Sequence, residues 1–165
     1  MRVLGIDPGL ASMGYGVVES GAARPKALTL GVIRTEAGRP EAQRLAQIRE
    51  DLLAIITTHR PEVVALERLF FNANVQTAMS VGRASGVALA TSAESGLAVF
   101  EYTPPEVKSS VVGVGDASKK QVQVMVGALL GLSEVPRFPD AADACALAIC
   151  HINRQGLRNA IGAAR

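Results

Sequence analysis

The segment at residues 141–150 constrains the fold more than any other, because every residue in it except Asp143 is alanine, cysteine, leucine or isoleucine. A helix that is apolar around its whole circumference is a buried helix. The rest of the chain must therefore surround this segment. With 165 residues, of which 48% are hydrophobic, the chain is long enough to do so as one domain with one core.

Hydrophobic periodicity, interrupted by glycine and proline turns, predicts five strands and five helices. The strands are expected at residues 3–6, 14–19, 26–34, 62–67 and 97–102, and the helices at residues 41–58, 74–95, 104–112, 118–130 and 140–153. Three successive strands predict an antiparallel meander. The alternating helices and strands that follow predict an α/β fold, a mixed five-stranded sheet with helices on both faces. We expect one domain at residues 1–153 and a flexible tail at residues 154–165.

Composition and cysteine placement bear on the cellular setting. The net charge of +2 neither requires nor excludes a nucleic-acid partner. Cys145 and Cys150 lie five apart in one predicted helix and point to different sides of it, so we expect reduced thiols, as in the cytoplasm. The chain enters a strand pattern without a charged leader, which predicts no signal peptide. No apolar run approaches the length of a membrane span.

Four carboxylates stand at the ends of apolar segments. Asp7 ends the first predicted strand and Glu67 the fourth, while Asp140 and Asp143 share one face at the start of the buried helix. Three of them have an ordinary explanation as well. Asp7 precedes a Pro-Gly turn, Glu67 could pair with Arg68, and Asp140 is placed to cap the helix. A second acid on the same face of a buried helix needs a different reason, and this pair favours a functional site.

Carboxylates that approach one another repel, and divalent cations can hold them together. Mg²⁺ and Mn²⁺ prefer oxygen ligands, and two such ions about 4 Å apart can clamp the attacking and leaving oxygens of a phosphodiester. The sequence contains no histidine and cysteine cluster with zinc spacing, which argues against zinc. The residues therefore favour a metal-dependent nuclease that holds two Mg²⁺ or Mn²⁺ ions.

Several motifs, taken together, make the chain resemble the RuvC family of bacterial Holliday-junction resolvases. They are GIDPG at residues 5–9 with GYGV at 14–17, ERLF at 67–70 and DAADA at 140–144. Further similar segments lie at residues 99–102, 107–108, 111–115 and 119–125. The resemblance extends from residue 1 to about residue 153, and it is the order and spacing of the set that is specific.

The resemblance implies a ribonuclease-H-like fold and a homodimer that holds a four-way DNA junction and makes paired nicks. It implies that Asp7 bridges two metal ions while Glu67, Asp140 and Asp143 complete the site. Hydrolysis would leave 5′-phosphate and 3′-hydroxyl ends. The resemblance also implies a branch-migration partner of the RuvA/RuvB type.

DNA-contacting residues are implied in the same way. Phe70 is similar to a family aromatic that stacks on an unpaired base, although Phe70 or its neighbour Phe71 could equally belong to the core. Lys108 and Lys119 match family lysines near the scissile phosphate, and Lys119 stands at a predicted helix start that favours phosphate. Lys120 is a further basic residue beside them.

Two features and three other functions remain open at this point. The stripe Gly82, Gly86 and Ala90 is explained either by packing on the sheet or by a subunit interface, and Arg83 faces either DNA or solvent. An ATP-using protein of the actin type begins with a similar strand and turn but needs two such domains. A non-catalytic nucleic-acid-binding module does not need four repelling acids. A different ribonuclease-H-like nuclease is also an alternative.

Overall fold

The computed structural model of the chain describes residues 1–21, 23–68 and 75–163. The strands are β1 (Arg2–Asp7), β2 (Ser12–Glu19), β3 (Lys26–Arg34), β4 (Val63–Glu67) and β5 (Ala98–Tyr102). The helices are α1 (Glu41–His59), α2 (Val75–Glu94), α3 (Pro104–Val112), α4 (Lys119–Leu130) and α5 (Pro139–Ala163). Within these ranges, no helix is both long and apolar enough to cross a membrane.

The sheet has the order β3-β2-β1-β4-β5. Strands β1, β2 and β3 form an antiparallel meander, while β4 pairs in parallel with both β1 and β5. The predicted mixed five-stranded sheet is therefore confirmed. Because β1, β4 and β5 run in the same direction, their carboxyl ends meet at one edge of the sheet.

Side chains alternate across the sheet and form one apolar core on each face. Leu4 and Ile6 of β1 pack against Ile48, Leu52 and Ile56 of α1, and small residues of α2 close the same core. On the opposite face, α5 lies on the sheet and α3 and α4 pack against α5, so that apolar side chains of all three helices share one core with Val3. Helices thus lie on both faces, as predicted.

Helix α5 lies directly on the sheet because glycines of β1 and β2 leave no side chain between the two backbones. A Cβ atom at Gly5 would overlap the carbonyl of Ala144, and one at Gly14 would overlap the carbonyl of Asp140. Residues of α5 from Ala144 to Cys150 are fully or almost fully buried, which confirms the buried helix expected from composition. The glycines therefore fix both the height and the position of α5 over the sheet.

The fold decides two of the expectations and leaves a third untested. The final helix does not end near residue 153 but continues to Ala163, and that predicted helix end was wrong. Cys145 and Cys150 are free and buried, so the expected absence of a disulfide between them is confirmed. The division of the chain at residue 153 stays a prediction.

The glycine stripe of α2 does not pack on the sheet. Gly86 and Ala90 are exposed, and a Cβ atom at Gly82 or Gly86 would meet nothing within 4 Å. The residues of α2 that enter the core are instead Ala84 and Ala88. Of the two explanations, packing on the sheet is therefore wrong.

Arg83, on the same helix, forms an ion pair of 2.6 Å with Glu41 of α1. Its guanidinium is thereby committed to a contact between two helices. Both groups are partly exposed, so the pair contributes little to stability.

Candidate metal centre

The parallel strands β1 and β4 bring Asp7 and Glu67 together. Ile6 is paired with Leu66 in the register, so the next residue on each strand, Asp7 and Glu67, stands side by side at the carboxyl end. The two carboxyl groups lie close enough for each to shift the pKa of the other. A neighbouring negative charge disfavours ionisation of a carboxyl group, so in the absence of a cation this pair resists ionisation of both members.

The first turn of α5 brings the other two acids to the same edge. Asp140 and Asp143 lie three residues apart and therefore share one helix face. One carboxylate oxygen from each of Asp7, Asp140 and Asp143 can be chosen so that all three lie within 4.8 Å of one another. The structure thus places all four predicted acids at one point, with Glu67 joined to the group through Asp7.

Burial and mutual repulsion make these acids hold protons more strongly than usual. Burial raises the pKa of Asp7 to about 8, and the negative charge of Glu67 adds to the effect. Burial is also the main cause that raises the pKa of Glu67 and the pKa of Asp143. At neutral pH the metal-free centre therefore carries less negative charge than four carboxylates would have in water.

Lysines on α3 and α4 border the carboxylates. An open pocket of about 220 Å³ is lined by Asp7, Glu67 and Asp143 together with Lys108 and Lys119. Its remaining described walls are mostly apolar: Pro104, Val107, Val122, Ala146 and Leu147. The pocket thus combines acids at its base with positive charge at its side, which suits a phosphate held against a metal centre.

A capping box fixes where α4 begins and therefore where Lys119 lies. The Ser118 hydroxyl accepts from the backbone N–H of Gln121, and the Gln121 side chain bonds back to Ser118, so α4 begins at Lys119. The Lys119 Nζ atom lies 3.4 Å from the Asp143 carboxylate, and that negative charge raises the pKa of Lys119. The predicted cap at Ser118 is confirmed. Lys120 is exposed and is not among the described residues that line the pocket.

Ser12 is a member of the site that the sequence did not indicate. Its hydroxyl donates a 2.5 Å hydrogen bond to Asp140 Oδ2 across 128 residues of sequence. Strand β2 was expected to start at Gly14, which left Ser12 in a loop, whereas it is the first residue of the strand. The spacing Ser12, Gly14, Gly16 was the available signal, since alternate residues of a strand face the same side and all three face α5.

The donor set suits a hard divalent cation. The clustered ligand atoms are carboxylate oxygens, which Mg²⁺ and Mn²⁺ prefer. A cation placed among them would favour the ionised form of Asp7, against the burial and the neighbouring negative charges that raise its pKa. Phe70 and its neighbour Phe71, the predicted base-stacking position, lie outside the described residues.

Comparison with known proteins decides the family. A family model described as crossover junction endodeoxyribonuclease RuvC matches residues 3–151. The chain belongs to the RuvC family. The expected family membership, and with it the ribonuclease-H-like fold, is thereby confirmed.

Individual RuvC proteins are similar over nearly their whole length. The RuvC of Syntrophomonas wolfei is 50% identical over 153 residues, which cover 93% of this chain and 89% of that protein. The RuvC of Heliobacterium modesticaldum is 54% identical over 150 residues, covering 91% and 93%. The structure of Thermus thermophilus RuvC in complex with Holliday junction substrate has a TM-score of 0.90 at 38% identity, covering 95% of this chain and 96% of that one.

Proposed function

We propose that this chain resolves four-way DNA junctions by paired, symmetric nicks, using two Mg²⁺ or Mn²⁺ ions to hydrolyse phosphodiester bonds and leave 5′-phosphate and 3′-hydroxyl ends. One observation carries the proposal: Asp7, Glu67 and Asp143 line one pocket with two lysines, and a carboxylate oxygen of Asp140 lies within 4.8 Å of those of Asp7 and Asp143. The family relationship narrows this centre from a general nuclease to a junction resolvase, and the T. thermophilus relative supports the choice of substrate.

Asp7, Glu67, Asp140 and Asp143 are the residues that hold metal in this proposal. Bound divalent ions would supply activation of water and neutralisation of charge on the phosphate. Asp7 takes the central position, because it contacts Glu67 on one side and lies near Asp140 and Asp143 on the other. A bound divalent ion would favour the ionised form of Asp7 over the protonated form that burial favours without it.

The lysines act on the DNA side of the pocket. Lys119 orients Asp143 through their ion pair and leaves most of its side chain exposed for a phosphate oxygen. Lys108 lines the same pocket from α3. Lys120, on the outer surface of α4, adds positive charge for the DNA backbone, and Phe70 is assigned to base stacking.

Paired cleavage requires two active sites in one complex. We therefore propose a homodimer with one metal centre per subunit, acting in the cytoplasm and receiving junctions from a branch-migration complex of the RuvA/RuvB type. Residues 1–153 form the nuclease domain in this scheme. Residues 154–165 form the tail, whose described part continues α5.

The test compares nicking of a synthetic four-way junction, a linear duplex and a single strand in Mg²⁺, Mn²⁺ and EDTA. We expect nicks in the junction alone, in either metal, and none in EDTA. Asp7→Asn should abolish nicking while junction binding persists, because the acids hold metal and the basic residues hold DNA. Glu19→Gln is the matched control, since Glu19 ends β2 at the opposite edge of the sheet and pairs with Arg2.

Two results would contradict the proposal. Wild-type nicking rates in Asp7→Asn would remove the metal centre from the mechanism. Equal cleavage of junction and linear duplex would leave a ribonuclease-H-like nuclease of a different specificity.

A further inference from the structure

Two arginines and a phenylalanine form a cluster beside the metal centre, which we call the arginine rim: Arg34, Arg137 and Phe138. The Arg34 guanidinium carbon lies 4.7 Å from the centre of the Phe138 ring, and that of Arg137 lies 5.9 Å from the same ring. Both distances are within the range of a cation–π contact. One aromatic ring thus holds two positive charges that would otherwise repel.

Two independent connections tie the arginine rim to Asp140. Arg34 ends β3 and is the register partner of Ser12, whose hydroxyl binds Asp140. Phe138 precedes Asp140 by two residues, and its carbonyl accepts a 3.3 Å hydrogen bond from the N–H of Ala142 in the first turn of α5. The rim is therefore fixed to the elements that fix the metal ligand.

The charge of the arginine rim is not neutralised within the protein. Arg34 and Arg137 are exposed. Among residues 1–21, 23–68 and 75–163, neither has a carboxylate within ion-pair distance, whereas Arg49 and Arg83 each have one. Stacking on an aromatic face leaves the N–H groups of a guanidinium available, and their planar fork matches the oxygens of a phosphate.

The position of this charge agrees with the path of a DNA strand. Lys108 and Lys119 lie at the Asp143 end of the centre, and the arginine rim lies at the Asp140 end. A strand whose scissile phosphate sits over the carboxylates carries further phosphates to either side, and the acids repel each of them. Positive charge at both ends of the centre offsets that repulsion.

We propose that the arginine rim binds backbone phosphates of the DNA strand that enters the metal centre, on the side opposite the two lysines. The inference rests on the proposed function, because it assigns a surface for the same substrate. Contacts to phosphate are independent of sequence, so the rim should contribute to affinity for junction and duplex alike.

Arg34→Gln and Arg137→Gln test the proposal by equilibrium binding in EDTA, where no cleavage occurs. Each phosphate contact contributes about 0.7–0.9 to the slope of log K against log salt. Loss of one contact should therefore weaken binding of a four-way junction about five- to eight-fold at 0.1 M salt and reduce the slope by about one. In the double variant, the loss in log K and the reduction of the salt slope should each be about twice as large.

Two further variants separate charge at this location from charge in general. Arg137→Lys should keep most of the affinity and slope, because it retains the positive charge. Arg49→Gln is the matched control: an exposed arginine of α1, paired with Glu94 at the far end of α2, whose loss should leave binding unchanged.

The inference would be overturned if Arg34→Gln and Arg137→Gln bound DNA with the affinity and salt slope of the wild type. If their melting temperature also fell, the arginine rim would be a structural contact only. An equal loss in Arg49→Gln would also overturn it, because total charge would then be the cause. If the wild-type chain binds the junction but these variants do so equally well, the proposed function survives. If the wild-type chain binds no DNA, both proposals fail.

Discussion

The raised pKa values of the metal centre predict that the metal-free protein becomes less stable between pH 5 and pH 8. The folded state keeps a proton on Asp7 up to a pKa of about 8, whereas the unfolded chain releases it near the ordinary value of about 3.9. Between these values the folded state binds more protons, so the free energy of unfolding falls as pH rises. The raised pKa values of Glu67 and Asp143 act in the same direction.

The two glutamates whose pKa values are lowered do not obscure this effect. The pKa values of Glu19 and Glu106 are lowered, mainly by hydrogen bonds from Arg2 and from the backbone of Thr103. Their contribution is already complete above the ordinary pKa of a glutamate and stays constant across this window. The pKa of Lys119 is raised above its ordinary value, so that lysine remains charged in both states below pH 8.

The size of the effect follows from one proton over three pH units. Each pH unit lowers the free energy of unfolding by about 1.4 kcal/mol, so three units lower it by at most about 4 kcal/mol. Because Asp7 is partly solvated, we expect a loss of about 2–4 kcal/mol. A domain of this size shifts its melting temperature by about 2–4 °C per kcal/mol. We therefore expect the melting temperature in EDTA to fall by about 5–15 °C from pH 5 to pH 8.

Thermal unfolding in EDTA, followed by circular dichroism, measures this slope directly. Asp7→Asn should flatten the slope and be more stable than wild type at pH 8, whereas Glu19→Gln should leave the slope unchanged. Mg²⁺ should restore stability to the wild type at pH 8 and much less to Asp7→Asn. A melting temperature that is constant or rises between pH 5 and pH 8 in EDTA would refute the reasoning.

Three further predictions concern the surroundings of the metal ligands and the assembly. Ser12→Ala should raise the Mn²⁺ concentration for half-saturation about ten-fold, because Asp140 loses its hydrogen bond, while Ser12→Thr should retain wild-type affinity. Calorimetric titration with Mn²⁺ measures both variants, and an affinity of Ser12→Ala equal to that of the wild type would exclude a positioning role for Ser12. Lys119→Met should slow junction nicking about 100-fold while changing the melting temperature by less than about 2 °C, since its ion pair is exposed. Single-turnover kinetics and thermal unfolding measure the two effects, and an unchanged nicking rate with a lowered melting temperature would contradict the prediction. The purified chain should elute as a dimer in light-scattering chromatography, and full paired nicking by a monomer would count against the symmetric scheme.

Local signals in the sequence were sufficient to locate the strands and helices approximately and to single out the four acids as candidates. Lys119 was placed correctly at a helix start because Ser118 and Gln121 form a cap whose spacing is visible without a structure. Asp7 and Glu67 each stand out as the end of an apolar strand, whereas their meeting at one site was implied only by the family resemblance. These signals span a few residues each.

Contacts between distant segments could not be obtained in this way. Ser12 and Asp140 are 128 residues apart, and neither shows its partner through composition or spacing. Arg34 and Phe138 meet only because β3 and the start of α5 lie at the same edge of the fold. The final helix continued past residue 153 because its later residues can remain helical without an apolar stripe to mark them.

The close approach of α5 to the sheet means that some residues control the chemistry without carrying any functional atom. Gly5, Gly14 and Gly16 contribute only the absence of a side chain, yet a methyl group at any of them would push α5 outward. Asp140 and Asp143 would move with the helix as one rigid unit, away from Asp7. In a mutational survey scored by nicking, these glycines would rank with the metal ligands, and added metal would not rescue them. Engineering of this centre is therefore limited first by the spacing between two backbones and only then by the choice of ligands.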